Sequence, residues 1–190
     1  MDKKKELMIM MLLFVVLLVG ASVLYEKLGQ KIQSDQIAVQ EDAETDKEEN
    51  QQKRKASDFT VYDLDGNEVH LSDYIGKPVV LNFWASWCGP CKMEIPDFEA
   101  MYLEKGESVQ FLMVNMTDGS RETLDTASDY VKSEGYTLPV FYDTESDAAA
   151  VYGVSALPTT YFIDSEGYIA AQATGAIDSV TLQKGIDMID

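Results

Sequence analysis

The sequence predicts an α/β fold: a mixed central sheet with helices on both faces and a leading β-hairpin, preceded by one N-terminal transmembrane helix. Three observations carry this. From residue 57 onward, apolar runs of strand length alternate with segments of helical period. Asp65-Gly66 lies between two short alternating runs, which signals a hairpin. Near the N-terminus, Leu7 to Leu24 is a run of 18 residues without a charge, long enough to span a bilayer.

In chain order, residues 1–6 carry Lys3, Lys4 and Lys5 and are expected in the cytoplasm. Residues 7–25 are expected to form a transmembrane signal anchor. The lysines ahead of it place the rest of the chain outside the cytoplasm, so the expected location is the cell membrane, single-pass, with the C-terminal domain extracytoplasmic. A cleaved signal peptide is the alternative, because Val19-Gly20-Ala21 offers small residues. The apolar run continues through Val23 and Leu24, which favours the anchor. Residues 26–56 form an acidic stretch; from Ser34 to Asn50 it holds Asp35, Glu41, Asp42, Glu44, Asp46, Glu48 and Glu49 against Lys47 alone. Low hydrophobicity and like charge predict a flexible tether, reaching roughly 30 Å root-mean-square. Residues 57–190 are the domain.

Within the domain, Phe59 to Tyr62 and Val69 to Leu71 are the arms of the hairpin. Val79 to Trp84 is almost wholly apolar and predicts a buried central strand. The helix after Cys88 has Phe98, Met101 and Tyr102 on one side, and Pro96 is expected to kink it. Val109 to Met116 is the next strand. Thr123 to Glu134 is a helix with Leu124, Ala127 and Val131 on one side. Pro139 to Tyr142 and Asp147 to Tyr152 predict a short strand and a short helix. Thr159 to Ile163 and Tyr168 to Ala173 are strands joined by the turn Asp164 to Gly167. Leu182, Ile186 and Ile189 mark a final helix.

From Ala56 onward the chain has six basic residues against 23 acidic ones, a net charge of −17. That excludes nucleic acid as a partner, since phosphate neutralisation needs a basic surface.

Cys88 and Cys91 are the only two cysteines. They lie in Trp87-Cys88-Gly89-Pro90-Cys91, between the central strand and a helix. A strand feeding into a helix leaves the first cysteine at the helix N-terminus, where free N–H groups and the helix dipole favour a thiolate. Cys88 is therefore the expected nucleophile. Cys91, one turn on, can attack the mixed disulfide that results. Pro90 suits the first helical turn. A static disulfide would close a very short loop and stabilise little. A zinc site would have at most three protein ligands, Cys88, Cys91 and His70, where four are usual. The pair is read as a dithiol/disulfide switch, with no cofactor and no metal ligand assigned.

The order of elements, with Asn82 to Cys91 (NFWASWCGPC), Lys92 to Pro96 (KMEIP) and Val154 to Asp164 (VSALPTTYFID), resembles the thioredoxin fold. It is most similar to the membrane-anchored TlpA/ResA-like thiol-disulfide oxidoreductases. The resemblance covers about Ser57 to Asp190 and implies several roles. Pro158 matches the proline that takes a cis peptide beside the dithiol, and with Leu157 it would present a backbone edge to substrate. Trp87 would shield the disulfide and contact substrate; core packing is the plainer alternative. Glu94 matches the acidic residue that tunes or relays protons at the dithiol. In that role it is expected to be solvent-reachable, so that its replacement changes stability little; its plain alternative is an ordinary solvated helix carboxylate. Asn82 stands where cytosolic thioredoxin has a buried aspartate, which shifts acid/base duty toward Glu94. His70 is expected to be structural.

The resemblance implies reduction of disulfides in extracytoplasmic proteins, with apocytochrome c or a methionine sulfoxide reductase as candidates, and electrons from a CcdA- or DsbD-like transmembrane donor. A dithiol oxidase of the same fold is the nearest alternative. A copper metallochaperone using Cys88 and Cys91 is a further one, although such proteins usually space their cysteines by three residues and carry a later histidine. A peroxidase lacks support, since Asn82 to Trp87 offers neither the proline nor the threonine of a peroxidatic cysteine.

Overall fold

The computed structural model describes residues 54–190 and the backbone of Ile37–Ala38. The lysine cluster, the apolar run 7–25 and the rest of the acidic stretch lie outside the described residues. Among the described residues no helix is long and apolar enough to cross a membrane.

Among the described residues, nine strands form one sheet: β1 Ile37–Ala38, β2 Arg54–Lys55, β3 Thr60–Tyr62, β4 Glu68–His70, β5 Val79–Trp84, β6 Gln110–Asn115, β7 Val140–Tyr142, β8 Thr159–Ile163 and β9 Tyr168–Thr174. Four α-helices accompany them there: α1 Gly89–Lys105, α2 Leu124–Glu134, α3 Asp147–Tyr152 and α4 Ser179–Ile186. The order across the sheet is β1-β9-β8-β5-β6-β7-β3-β4, and β2 also pairs with β9. The strands β5, β6 and β7 are parallel, and the other pairings are antiparallel. The sheet is therefore mixed, as expected. Ile37–Ala38 and Arg54–Lys55 fall in the stretch expected as tether, yet both pair with the outer edge of β9. Pairing covers an edge that would otherwise present free N–H and C=O groups.

All six residues of β5 are buried, which suits a strand with neighbours on both sides and helices on both faces. Alternation sorts its side chains. Val80 and Trp84 join a core with Ile95, Phe98, Leu182 and Ile186, the layer of α1 and α4. Val79, Leu81 and Phe83 join a second core with Phe59, Val61, Ala148 and Tyr152, under α3 and the hairpin. Asn82, between Leu81 and Phe83, therefore faces the α1 side.

The helix ends follow local chemistry. Thr123 Oγ1 accepts the Thr126 N–H at 3.2 Å to start α2, and Gly135, at φ +73°, ends it. Asp178 Oδ1 accepts the Thr181 N–H at 2.9 Å to start α4. α1 runs on through Pro96, which is exposed. Ile189 lies beyond the end of α4 but remains buried.

Gly185 on α4 sits directly on the ring of Phe162, and a Cβ there would overlap it. Phe162 is fully buried, so its ring has no open space to move into. Gly185→Ala is expected to cost about 1–3 kcal/mol of stability by overpacking. Chemical denaturation of the purified protein checks this; an unchanged midpoint would show that α4 can slide off the sheet at little cost.

Candidate active site

At the end of β5 the chain turns through Ala85-Ser86-Trp87-Cys88, closed by the Cys88 N–H donating to the Ala85 carbonyl at 3.1 Å. Cys88 then caps α1 with extended backbone, and its Sγ accepts the Cys91 N–H at 3.2 Å. Cys88 and Cys91 are joined as a disulfide, with Cα atoms 5.3 Å apart. The two sulfurs are not equivalent. Cys91, on the inner face of α1, is fully buried, whereas Cys88, 4% exposed, stands at the helix start between the exposed residues Trp87 and Gly89. When the bond is reduced, a sulfur that receives a helix N–H and lies at the positive end of the dipole is stabilised as a thiolate.

Glu94 lies one helical turn beyond Cys91 and is 1% exposed. This corrects the expectation of a carboxylate open to solvent. The α1 face that carries Cys91, Ile95 and Phe98 packs against the sheet, and the chain after β9 closes over it. Glu94 Oε2 accepts the Ile177 N–H at 3.0 Å, and Oε1 accepts from Asn82 Nδ2 at 2.8 Å. Burial pushes the Glu94 pKa up to about 7; the bonds from Ile177 and Asn82 oppose the rise, and Asp97 adds to it. Asn82 is opposite Thr160 in the β5–β8 register, and its Nδ2 also donates to Thr160 Oγ1 at 2.9 Å. Asn82 Oδ1 has no hydrogen-bond partner among the described residues. A half-turn of this amide would offer Oδ1 to a protonated Glu94, so the pair can hold either protonation state.

The Leu157–Pro158 peptide is cis, the isomer implied for this position. Leu157 and Trp87, expected to contact substrate, line one cleft of about 320 Å³ together with Met116, Asp118, Val154, Ser155 and Ala156. Trp87 is 40% exposed, so it belongs to this surface rather than to the core. His70 is elsewhere: it lies on β4, at the sheet edge remote from β9, and its Nδ1 is 3.2 Å from Thr60 Oγ1.

Sequence reasoning missed Glu122, in the loop between β6 and α2. It is fully buried and accepts from the Ser86 N–H, the Ser86 hydroxyl and Asn115 Nδ2, each at 2.8 Å. No local pattern marks it, because its partners come from the ends of two other strands.

A profile of the AhpC/TSA family matches residues 53–172. The chain belongs to the AhpC/TSA family. Within that family it is similar to the thiol-disulfide oxidoreductase ResA of Bacillus subtilis (strain 168), at 35% identity over 135 residues, 70% of this chain and 73% of ResA. Among solved structures, a DsbF homologue from Corynebacterium diphtheriae is 31% identical with a TM-score of 0.64, covering 78% of this chain and 97% of that one. StoA from Bacillus subtilis is 25% identical with a TM-score of 0.60, covering 68% and 96%. This AhpC/TSA-family chain has the thioredoxin-like fold and is a thiol-disulfide oxidoreductase of the ResA/StoA type, with Cys88 and Cys91 as its C-x-x-C pair.

Proposed function

We propose that the protein is a membrane-tethered, extracytoplasmic reductase of protein disulfides. The observation that carries the dithiol chemistry is its asymmetry: Cys88 at the helix start, adjoining the cleft residue Trp87, and Cys91 fully buried one helical turn before a carboxyl held near neutral pKa. The Cys88 thiolate attacks one sulfur of the substrate disulfide, and the other sulfur leaves and takes a proton. Cys91 then attacks the Cys88 sulfur of the mixed disulfide, and the second substrate sulfur leaves and is protonated. The substrate gains two electrons and two protons, and the enzyme ends as the Cys88–Cys91 disulfide. Glu94, half-protonated near neutral pH, is placed to take the Cys91 proton onto its carboxylate or return it. Trp87 and Leu157 line the groove for an extended substrate segment, and Pro158 presents its backbone edge.

The Gly89-Pro90 pair between the cysteines is of the thioredoxin type and favours the reducing direction. Outside the cytoplasm such a reductase needs electrons carried across the membrane, and a CcdA- or DsbD-like donor fits that need. Apocytochrome c and methionine sulfoxide reductases are the proposed substrate classes. A copper chaperone is disfavoured by the position of His70, which leaves only two thiolates for the metal.

Two measurements test the reading together. The reduction potential, from equilibration with glutathione, is expected near the thioredoxin end at about −270 mV; a value near about −120 mV would make the protein an oxidase. Protease added to intact protoplasts is expected to release a soluble catalytic fragment, and full protection would overturn the topology.

A further inference from the structure

We propose that Arg121 and Glu122, consecutive residues in the loop between β6 and α2, position the turn that launches Cys88. Glu122 acts through Ser86, and Arg121 acts through Trp87. The proposal rests on the reading of Cys88 as the attacking thiol.

The turn Ala85-Ser86-Trp87-Cys88 has two central residues, and both are held by this one loop. Glu122 takes both donors of Ser86, the N–H on Oε1 and the hydroxyl on Oε2, at 2.8 Å each. The Arg121 guanidinium carbon lies over the Trp87 ring, 3.6 Å from its centre, a cation–π contact. The loop is itself braced. Asp118 Oδ1 accepts the N–H groups of Ser120 and Glu122 at 2.7 and 3.0 Å, and the Gly119 N–H donates to the Glu122 carbonyl at 3.0 Å. The Thr117 hydroxyl donates to Asn115 Oδ1 at 2.8 Å, which orients that amide so that its Nδ2 faces Glu122.

The two contacts have different consequences. Ser86 is two residues before the nucleophile, so the Glu122 bonds set where the Cys88 backbone enters α1 and how its Sγ meets the Cys91 N–H. Glu122→Gln exchanges one acceptor for an NH₂ group that must face another donor in a fully buried site. Ser86→Ala removes only the hydroxyl bond. Either change moves the sulfur relative to the incoming disulfide, and such displacements act on the chemical step. Trp87, by contrast, is a wall of the cleft shared with Met116, Asp118 and Leu157. Arg121 fixes that ring and places a cation beside the cleft, so its loss acts on substrate binding.

The test is steady-state reduction of a disulfide-bonded peptide, with excess dithiothreitol regenerating the Cys88/Cys91 dithiol after each turnover and its direct reduction of the peptide subtracted; the rate of Cys88 alkylation is followed against pH on the reduced protein. Glu122→Gln and Ser86→Ala are expected to lower kcat about tenfold and to shift the pH midpoint of Cys88 alkylation. Arg121→Ala is expected to raise KM about fivefold, more than it lowers kcat, and Arg121→Lys, which keeps a cation over the ring, recovers most of the loss. If Glu122→Gln does not fold, Ser86→Ala decides. Wild-type kcat and alkylation midpoint in Ser86→Ala overturn the Glu122 assignment. Wild-type KM in Arg121→Ala, or no recovery by lysine, overturns the Arg121 assignment. Alkylation of Cys91 ahead of Cys88 in the wild type overturns instead the reading of the dithiol on which both stand.

Discussion

Cys88→Ser is expected to abolish disulfide reduction, by about a thousandfold or more, whereas Cys91→Ser keeps the first attack and stops at the mixed disulfide. The difference comes from position on α1. Cys88 is the N-cap residue, with its sulfur receiving the Cys91 N–H, and it keeps 4% of its surface exposed among the exposed residues Trp87, Gly89 and Pro90. Cys91 is fully buried and can reach only the Cys88 sulfur, its partner in the disulfide. Without Cys91 nothing resolves the intermediate, so substrate accumulates covalently on Cys88 and can be recovered on a non-reducing gel. Recovery of substrate on Cys91 in Cys88→Ser, at the yield seen for Cys91→Ser, would reverse the assignment. The same trapping in membranes identifies the physiological partners.

The second large effect is expected from Glu94→Gln. Burial holds the folded carboxyl near pH 7, above an ordinary value of 4.5. Below pH 4.5 the group is protonated whether the chain is folded or unfolded. As the pH rises, the unfolded carboxyl ionises first while the folded one keeps its proton. The contribution of Glu94 to wild-type stability therefore falls between about pH 4.5 and 7, on the order of 3 kcal/mol, and levels off above 7. The amide of the variant does not titrate. Its oxygen still accepts from Ile177, and its NH₂ finds an acceptor once Asn82 turns its free Oδ1 inward. The oxidised variant should thus gain on the wild type as pH rises through this window, as read from paired denaturation curves. Activity should move the other way: the variant loses the inflection near pH 7 in the pH–rate profile, because an amide cannot exchange a proton with Cys91. Parallel stability curves together with overlaid rate profiles would make Glu94 a passive helix residue.

Much of this was legible because it is local. The boundaries of β5 match the apolar run Val79 to Trp84, and the Asp65-Gly66 signal marks the hairpin of β3 and β4. The helix α3 spans Asp147–Tyr152 as expected, and Gly153, in left-handed conformation at φ +61°, ends it. The strand β6 is one residue shorter at each end than the apolar run that announced it. Pairing with β5 and β7, rather than hydrophobicity, decides where a ladder stops. The two short strands on β9 were not legible. Arg54–Lys55 has no strand-like pattern and is held by the free edge it meets.

The site divides along the same line. By itself the sequence determined that a strand would deliver two cysteines to the start of a helix, the first at its N-terminus and the second a turn further along, because that follows from residues 79 to 91 and the geometry of a helix N-terminus. Only the tertiary structure decided the surroundings of those sulfurs. The Ile177 N–H that meets Glu94 is 83 residues away in sequence, Thr160 is 78 from Asn82, and Glu122 is 36 from Ser86. Each of these contacts forms because a strand register or a loop closure brings remote segments together. A carboxylate's exposure, and hence its pKa, depends on what covers it rather than on its own helix. The same helix sequence could therefore carry Glu94 in water or in the core, and it is the chain after β9 that puts it in the core.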